Sequence, residues 1–219
     1  LHDALPIYDK VSVLGNGNYD FTLGFRNAFS YKNLSMSVLV DMKFGADVYS
    51  MSKMQSHVNG TSKETLEGRE GWYASEQARL SANVDAKDWT PTGGYVGKGV
   101  KAVTDADGNV SYVPNDVYVD PAKYWQALQN SSPEPFICDN SFVKLREVSL
   151  SYSCPKKWFV HTPIESVTLS AYGRNLLLIY SKVDNIDPES SYNNGNGQGF
   201  EYGSLPSRRT FGFGINVKF

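Results

Sequence analysis

Residues 208–219 read RRTFGFGINVKF, and their pattern decides the fold. Phe211, Phe213, Ile215, Val217 and Phe219 alternate with Gly212, Gly214, Asn216 and Lys218. A period of two puts the five apolar side chains on one face of a strand and the small or polar set on the other. In a soluble sandwich that apolar face would meet a second sheet. In an outer-membrane barrel it would meet lipid, with the polar face toward a wet lumen. The remaining sequence has to separate these arrangements.

Composition narrows the field. The chain has 219 residues, 41% of them hydrophobic, and a formal net charge of −2. Mean hydropathy is −0.38, and no apolar run approaches the ~20 residues of a membrane-spanning helix. Alternating barrel strands average out in such a measure, so a membrane barrel survives it. No basic stripe is present, which argues against nucleic acid as a partner. Fourteen Tyr, eleven Phe and four Trp suit sheet surfaces and membrane interfaces, where a ring buries its body and wets its tip. Cys138 and Cys154 bracket a strand-like run and would lie ~50 Å apart if it is extended, too far for a disulfide. Residues 1–7, LHDALPI, fit neither strand nor cap grammar and read as junction sequence, with the chain itself a fragment.

Five strands are expected, near residues 19–31, 33–46, 142–153, 166–180 and 208–219. The first carries Tyr19, Phe21, Leu23, Phe25, Phe29 and Tyr31 on one face, the second Leu34, Met36, Val38, Val40, Met42 and Phe44. Only Lys32 and Asn33 separate them, which predicts a two-residue hairpin. Phe21 then faces Phe44, Leu23 faces Met42, Phe25 faces Val40 and Phe29 faces Met36. On the other face Thr22 meets Lys43, Gly24 meets Asp41, and Arg26 lies diagonal to Asp41. A one-residue slip would put apolar on polar throughout. The third strand changes phase near Arg146–Glu147, which predicts a bulge.

The connections alternate between short ones (two and about 12 residues) and long ones (about 95 and about 27), and long loops in compact domains are usually functional. Trimmed turns at one end and elaborate loops at the other are the asymmetry of an up-and-down outer-membrane barrel. The insert, residues 47–141, shows helical composition in its first part, a hairpin about Asp107–Gly108 and a helix opening at Pro121. Its aromatics Trp72, Tyr73, Trp89, Tyr95 and Trp125 either stack on a substrate or partner or form a small core of the insert. DADGN (105–109) reads as a turn or half a calcium loop, and Asp184, Asp187 and Glu189 as a turn or a carboxylate pair. The three histidines lack metal-ligand spacing. No nucleophile–His pairing emerges, so no enzymatic activity, cofactor or metal is expected.

Four regions resemble the SusC/RagA family of TonB-dependent outer-membrane transporters: LGNGNYDFTLGFRNAFSYKNLSMSVLVDMKFGADVYS (14–50), GTSKETLEGREGW (60–72), SFVKLREVSLSYSCP (141–155), and YGRNLLLIYSKVDNIDPE (172–189) with LPSRRTFGFGINVKF (205–219). Tyr19 departs from the proline the family usually carries there. The resemblance implies an all-β chain, part of an antiparallel 22-stranded barrel with a plugged lumen. It implies active import of oligosaccharides or peptides with a SusD-like surface lipoprotein, powered through TonB by an amino-terminal part outside this chain. It also implies a final strand, at Phe211, Phe213, Ile215, Val217 and Phe219, that the barrel-assembly machinery reads. The Lys32–Asn33 turn and the 155–165 connector would then be periplasmic, and loops 47–141 and 181–207 extracellular. Arg26, Asp41, Lys43 and Arg174 would face the lumen. The alternative from another class is a soluble β-sandwich that binds carbohydrate, with its apolar faces packed on each other.

Overall fold

The computed structural model describes residues 12–190, 195 and 197–219; residues 1–7, expected to be junction sequence, lie outside them. The chain divides into two compact units, one of residues 15–49 and 138–219 and one that includes residues 50–137. The first is built on a single antiparallel sheet of five strands: β1 (Phe21–Tyr31), β2 (Leu34–Phe44), β3 (Phe142–Ser153), β4 (Ser166–Ser181) and β5 (Thr210–Lys218). Spatial order equals chain order, so the strands run up and down without a crossover.

The β1–β2 hairpin has the register its pattern predicts: Phe21 opposite Phe44, Leu23 opposite Met42, Phe25 opposite Val40, Phe29 opposite Met36. Lys32 takes a left-handed φ of 53° to turn the chain. At this same end Ser153 N–H donates to the Asn33 carbonyl at 2.8 Å, so the β1–β2 turn and the β3–β4 connector lie together. Both long connections leave from the opposite end.

The predicted bulge falls at Arg146. Against β2 the register steps from Leu39–Glu147 to Val40–Leu145, skipping Arg146. Against β4 it steps from Arg174–Glu147 to Leu177–Leu145, and Asn175 in the gap has φ 52°. An extra residue on one strand shifts side-chain parity by one. Val143 and Leu145 therefore share a face with Val148 and Leu150, while Arg146 and Glu147 both point to the other.

Register across the sheet assembles continuous apolar rows. Tyr31, Leu34, Tyr152, Leu169 and Ile215 form one, and Phe29, Met36, Leu150, Ala171 and Phe213 the next. Most of this face is uncovered: Leu23 is 51% exposed, Phe25 54%, Phe213 87% and Ile215 72%. Water would oppose such a surface at ~25 cal/mol per Å² of apolar area. The sandwich alternative requires these faces to pack on each other; because all five strands lie side by side in one sheet, they do not.

One expectation is corrected. Tyr19 does not join the apolar face. Regular pairing starts at Phe21, and the Tyr19 ring packs edge-on against Phe142 at 6.3 Å, with its hydroxyl accepting from Asn140 at 2.9 Å. Arg26 lies diagonal to Asp41, as expected, but the two are not each other's charge partners. The bulge brings Glu147 to Arg26 (3.5 Å) and Arg146 to Asp41 (2.6 Å) instead. Neither Cys138 nor Cys154 is in a disulfide.

The second unit contains α1 (Met51–Val58), α2 (Arg69–Ser81) and α3 (Pro121–Ser131) together with two short strand pairs. The Ser50 and Asp120 side chains cap α1 and α3 by accepting from Lys53 N–H and Ala122 N–H. Val100–Thr104 and Val110–Pro114 form the expected hairpin. The Asp105 carboxylate accepts from the N–H groups of Asp107 and Asn109, so DADGN is a turn. Among the described residues no helix is long and apolar enough to cross a membrane.

Candidate functional site

The polar face of the sheet is lined by small hydroxyls toward the short-turn end. Ser30 faces Ser35 at 3.1 Å and Ser37 faces Ser149 at 2.8 Å. In the middle, Arg26, Leu39, Glu147, Arg174 and Thr210 form one cross-strand row. Glu147 accepts from Arg174 at 2.8 Å as well as from Arg26. Lys43 lies over the rings of Tyr19 (5.4 Å) and Phe142 (5.8 Å). The four polar residues predicted to share a face, Arg26, Asp41, Lys43 and Arg174, do so, each with partners on neighbouring strands or segments.

Toward the long-loop end, the segment around Asp187 and Glu189 folds onto this face and forms a charge network that sequence reasoning missed. Lys144, with a side chain only 4% exposed, donates to Asp187 (3.1 Å), Glu189 (2.7 Å) and the Ser207 hydroxyl (2.9 Å). These satisfy all three ammonium protons. Arg146 grips Glu189 with both terminal nitrogens (2.8 and 2.5 Å) and also donates to Asp41 and Asn175. Burial alone would raise the Asp187 carboxyl. It is nevertheless held below its usual range by the Ser207 hydroxyl, the N–H groups of Glu189 and Ser207, and Lys144. Glu189 is likewise lowered against its burial, by Arg146 and Lys144. The Asp-Pro turn reading is also correct: Ser190 N–H returns to the Asp187 carbonyl at 2.8 Å. A charged residue in the strand phase of Phe142, at Lys144, was the available signal.

The second unit contains a cavity of about 600 Å³. Its walls are the end of α1 with the following turn, the first two turns of α2 and the start of α3. Trp72 and Tyr73 come from α2 and Trp125 from α3. Behind Trp125 lies an aromatic core: His57 at 4.6 Å, Tyr124 at 5.3 Å and Tyr95 at 5.6 Å between ring centroids. Both His57 ring nitrogens lie 2.8 Å from acceptors, the Lys53 carbonyl and the Glu64 carboxylate. The hydrogen bond to His57 holds Glu64 below its ordinary value. Burial, with Tyr124, Glu67 and Glu64 nearby, pushes the Tyr95 hydroxyl up to about 12. The Trp125 indole N–H is buried without a hydrogen-bond partner among the described residues.

Close glycine contacts set the position of α2. Gly68, at its amino end, has φ 78°, and a Cβ there would overlap the backbone of Gly94 and Tyr95. Gly71 similarly lies against Gly93. Gly68→Ala should therefore displace α2, at a cost of about 1–3 kcal/mol from strain and overpacking. Limited proteolysis of the intact protein should show faster cleavage within residues 50–137, with the sheet unaffected.

The five predicted aromatic contacts separate in space. Trp72, Tyr73 and Trp125 line the cavity. Tyr95 is only 7% exposed and belongs to the core behind it, the second of the two roles its pattern left open. Trp89 does not line the cavity; its indole N–H donates to the buried Ser75 hydroxyl at 3.0 Å. Phe211, Phe213, Ile215, Val217 and Phe219 line the exposed face at the β5 edge. Among the described residues no cluster of His, Cys, Asp or Glu could hold a metal ion.

No family model matches the chain. It is similar to TonB-dependent receptor P3 of Formosa agariphila, 27% identical over 213 residues, covering 94% of this chain and 17% of that protein. TonB-dependent receptor P26 of the same organism is 28% identical over 222 residues, covering 99% of this chain and 19% of the relative. The chain thus spans less than a fifth of the length of the curated relatives it matches. Among solved structures it is similar in fold to the RagAB peptide importer in the closed-closed state (TM-score 0.54, 16% identity, 93% of this chain and 18% of that one). A second RagAB peptide transporter structure aligns equally well (TM-score 0.54, 18% identity, 93% of this chain and 17% of that one).

Proposed function

We infer that this chain, a stretch of a SusC/RagA-type TonB-dependent receptor, supplies five adjacent strands and two long external loops to an outer-membrane barrel for active nutrient import. One observation carries the reading: a five-strand sheet presents a continuous uncovered apolar face and a charged, hydroxyl-rich opposite face. Lipid solvates the first, and a wet or plugged lumen solvates the second. Charges such as Arg26 and Arg174 are tolerated only on the lumen side.

The barrel would hold 22 strands, with its plug and TonB contact in parts of the receptor beyond this chain. The Lys32–Asn33 turn and the 155–165 connector would lie in the periplasm, and residues 47–141 and 181–207 outside the cell. There they would meet an oligosaccharide or peptide and a SusD-like lipoprotein; the RagAB likeness supports a two-component importer of this kind. The Phe211–Phe219 alternation would be the segment that the assembly machinery engages. The chain's part is selection and passage, with no chemical step. Cells lacking the receptor should lose uptake of one nutrient class, and collapsing the proton gradient should do the same to wild-type cells. Unchanged uptake in both cases would count against active import.

A further inference from the structure

We propose that the short-turn end of the sheet binds anionic phospholipid headgroups through Lys32, Lys156 and Lys157, beside Trp158; the assignment rests on the barrel reading. Strands β1 and β2 have 11 residues each. A strand of that length tilted by about 45° rises about 25 Å, the height of a barrel's apolar band. The band is therefore used up at Tyr31 and Leu34, and the chain beyond them lies at headgroup level. Ser153 N–H donates to the Asn33 carbonyl at 2.8 Å and Glu165 N–H to the Lys218 carbonyl at 2.7 Å. These bonds fasten the 155–165 connector to the β1–β2 turn and to the end of β5. Its apolar groups are uncovered there: Trp158 is 59% exposed and Val160 71%.

The charge at this end is one-sided. Residues 28–36, 149–170 and 212–219 contain four lysines and a single carboxylate, Glu165. Glu165 is taken by Lys218 at 2.7 Å, which leaves Lys32, Lys156 and Lys157 without a carboxylate in these segments. The Lys32 ammonium lies 5.2 Å from the centre of the Tyr31 ring, at the border of the apolar face. The whole chain carries a net charge of −2, so the positive excess is local. Lysine stems can lie along apolar surface and deliver their ammonium groups to phosphate, while an indole rests at the same depth with its N–H toward water. Zwitterionic lipid would accept Trp158 and Val160 but leave the cations unanswered. An acidic protein would answer the cations, but it would have to displace lipid from the rim of an uncovered apolar sheet.

The test uses the intact receptor with a bimane label on Val160→Cys as its single cysteine, reconstituted into liposomes. Either phosphatidylglycerol or phosphatidylcholine carries bromine in its acyl chains, which quenches the label on contact. Brominated phosphatidylglycerol should compete for the site at least about fivefold better, the factor expected of one lysine at an anionic surface. Raising the salt from about 0.02 M to about 0.5 M should remove most of that preference. Lys156→Gln combined with Lys157→Gln should cut it below about twofold, with both lipids still quenching. Equal quenching by the two lipids, or a preference that survives the salt or the double substitution, would overturn the assignment. So would quenching by neither, the result expected if a protein covers the connector. A second label, on Ile215→Cys in the apolar face, separates the two readings. Quenching there without a headgroup preference at Val160→Cys defeats only the phospholipid assignment, whereas no quenching at Ile215→Cys defeats the barrel reading itself.

Discussion

Phe25→Asp should leave the intact receptor unable to assemble in the outer membrane, while Ser37→Asp should assemble at close to the wild-type level. Phe25 lies opposite Val40 on the uncovered apolar face and is 54% exposed there. A charge facing the bilayer midplane costs about 2–4 kcal/mol for a basic residue and somewhat less for aspartate. Losing the ring adds roughly 2 kcal/mol of apolar transfer. Ser37 lies on the opposite face, 2.8 Å from the Ser149 hydroxyl, which could donate to a new carboxylate. Quantifying heat-resistant folded receptor in outer-membrane fractions checks both variants. Equal assembly would mean that the two faces meet similar surroundings.

Lys144→Met should produce the second large effect, because its ammonium is the buried centre of the network. Removing it leaves Asp187 without its cation and Glu189 dependent on Arg146 alone. Breaking one side of a buried pair typically costs about 3–5 kcal/mol, so thermal unfolding of the intact receptor should drop clearly. Asp187→Asn in the same protein should recover part of the loss, since it removes the stranded charge. Acid should mimic the defect. Asp187 and Glu189 are lowered in the folded state, so the unfolded chain binds protons more readily. Their contribution is complete above the ordinary carboxylate range, about pH 4–4.5, and is lost as pH falls through the lowered folded values. Lys144→Met should flatten that acid-side loss. A variant melting like the wild type at neutral pH would show that the network carries little stability.

The sheet was legible because its determinants are local. Eleven paired positions in β1–β2 follow from a two-residue turn and an unbroken alternation, and the phase change beside Arg146 announced the bulge. Sequence could not show what that bulge does in space. It puts Arg146 and Glu147 on the same face, which gives Asp41 and Arg26 partners that a regular ladder would not. Lys144 meets Asp187 and Glu189 across 43 and 45 positions of chain, and no periodicity encodes such a meeting. Tyr19 continues the apolar parity of β1 by count alone; pairing has not begun there, so its side chain is free to turn to Phe142. In the insert, Pro121 and the Asp107–Gly108 turn marked elements correctly. The division of its aromatics between cavity wall and core depends on glycine-to-glycine approach at 68, 71, 93 and 94, which sequence shows only as glycines.

The most direct measurement uses nitroxide labels on single cysteines at Leu23, Val40 and Ile215, and at Ser37, Ser170 and Asn216, in the full receptor reconstituted into liposomes. Collisions with oxygen, which concentrates in hydrocarbon, should dominate at the first three. Collisions with a water-soluble nickel complex, or exclusion of both reagents by a lumen plug, should mark the second three. Labels at Leu23, Val40 and Ile215 that meet the nickel complex freely, or neither reagent, would contradict a sheet whose apolar face rests in lipid.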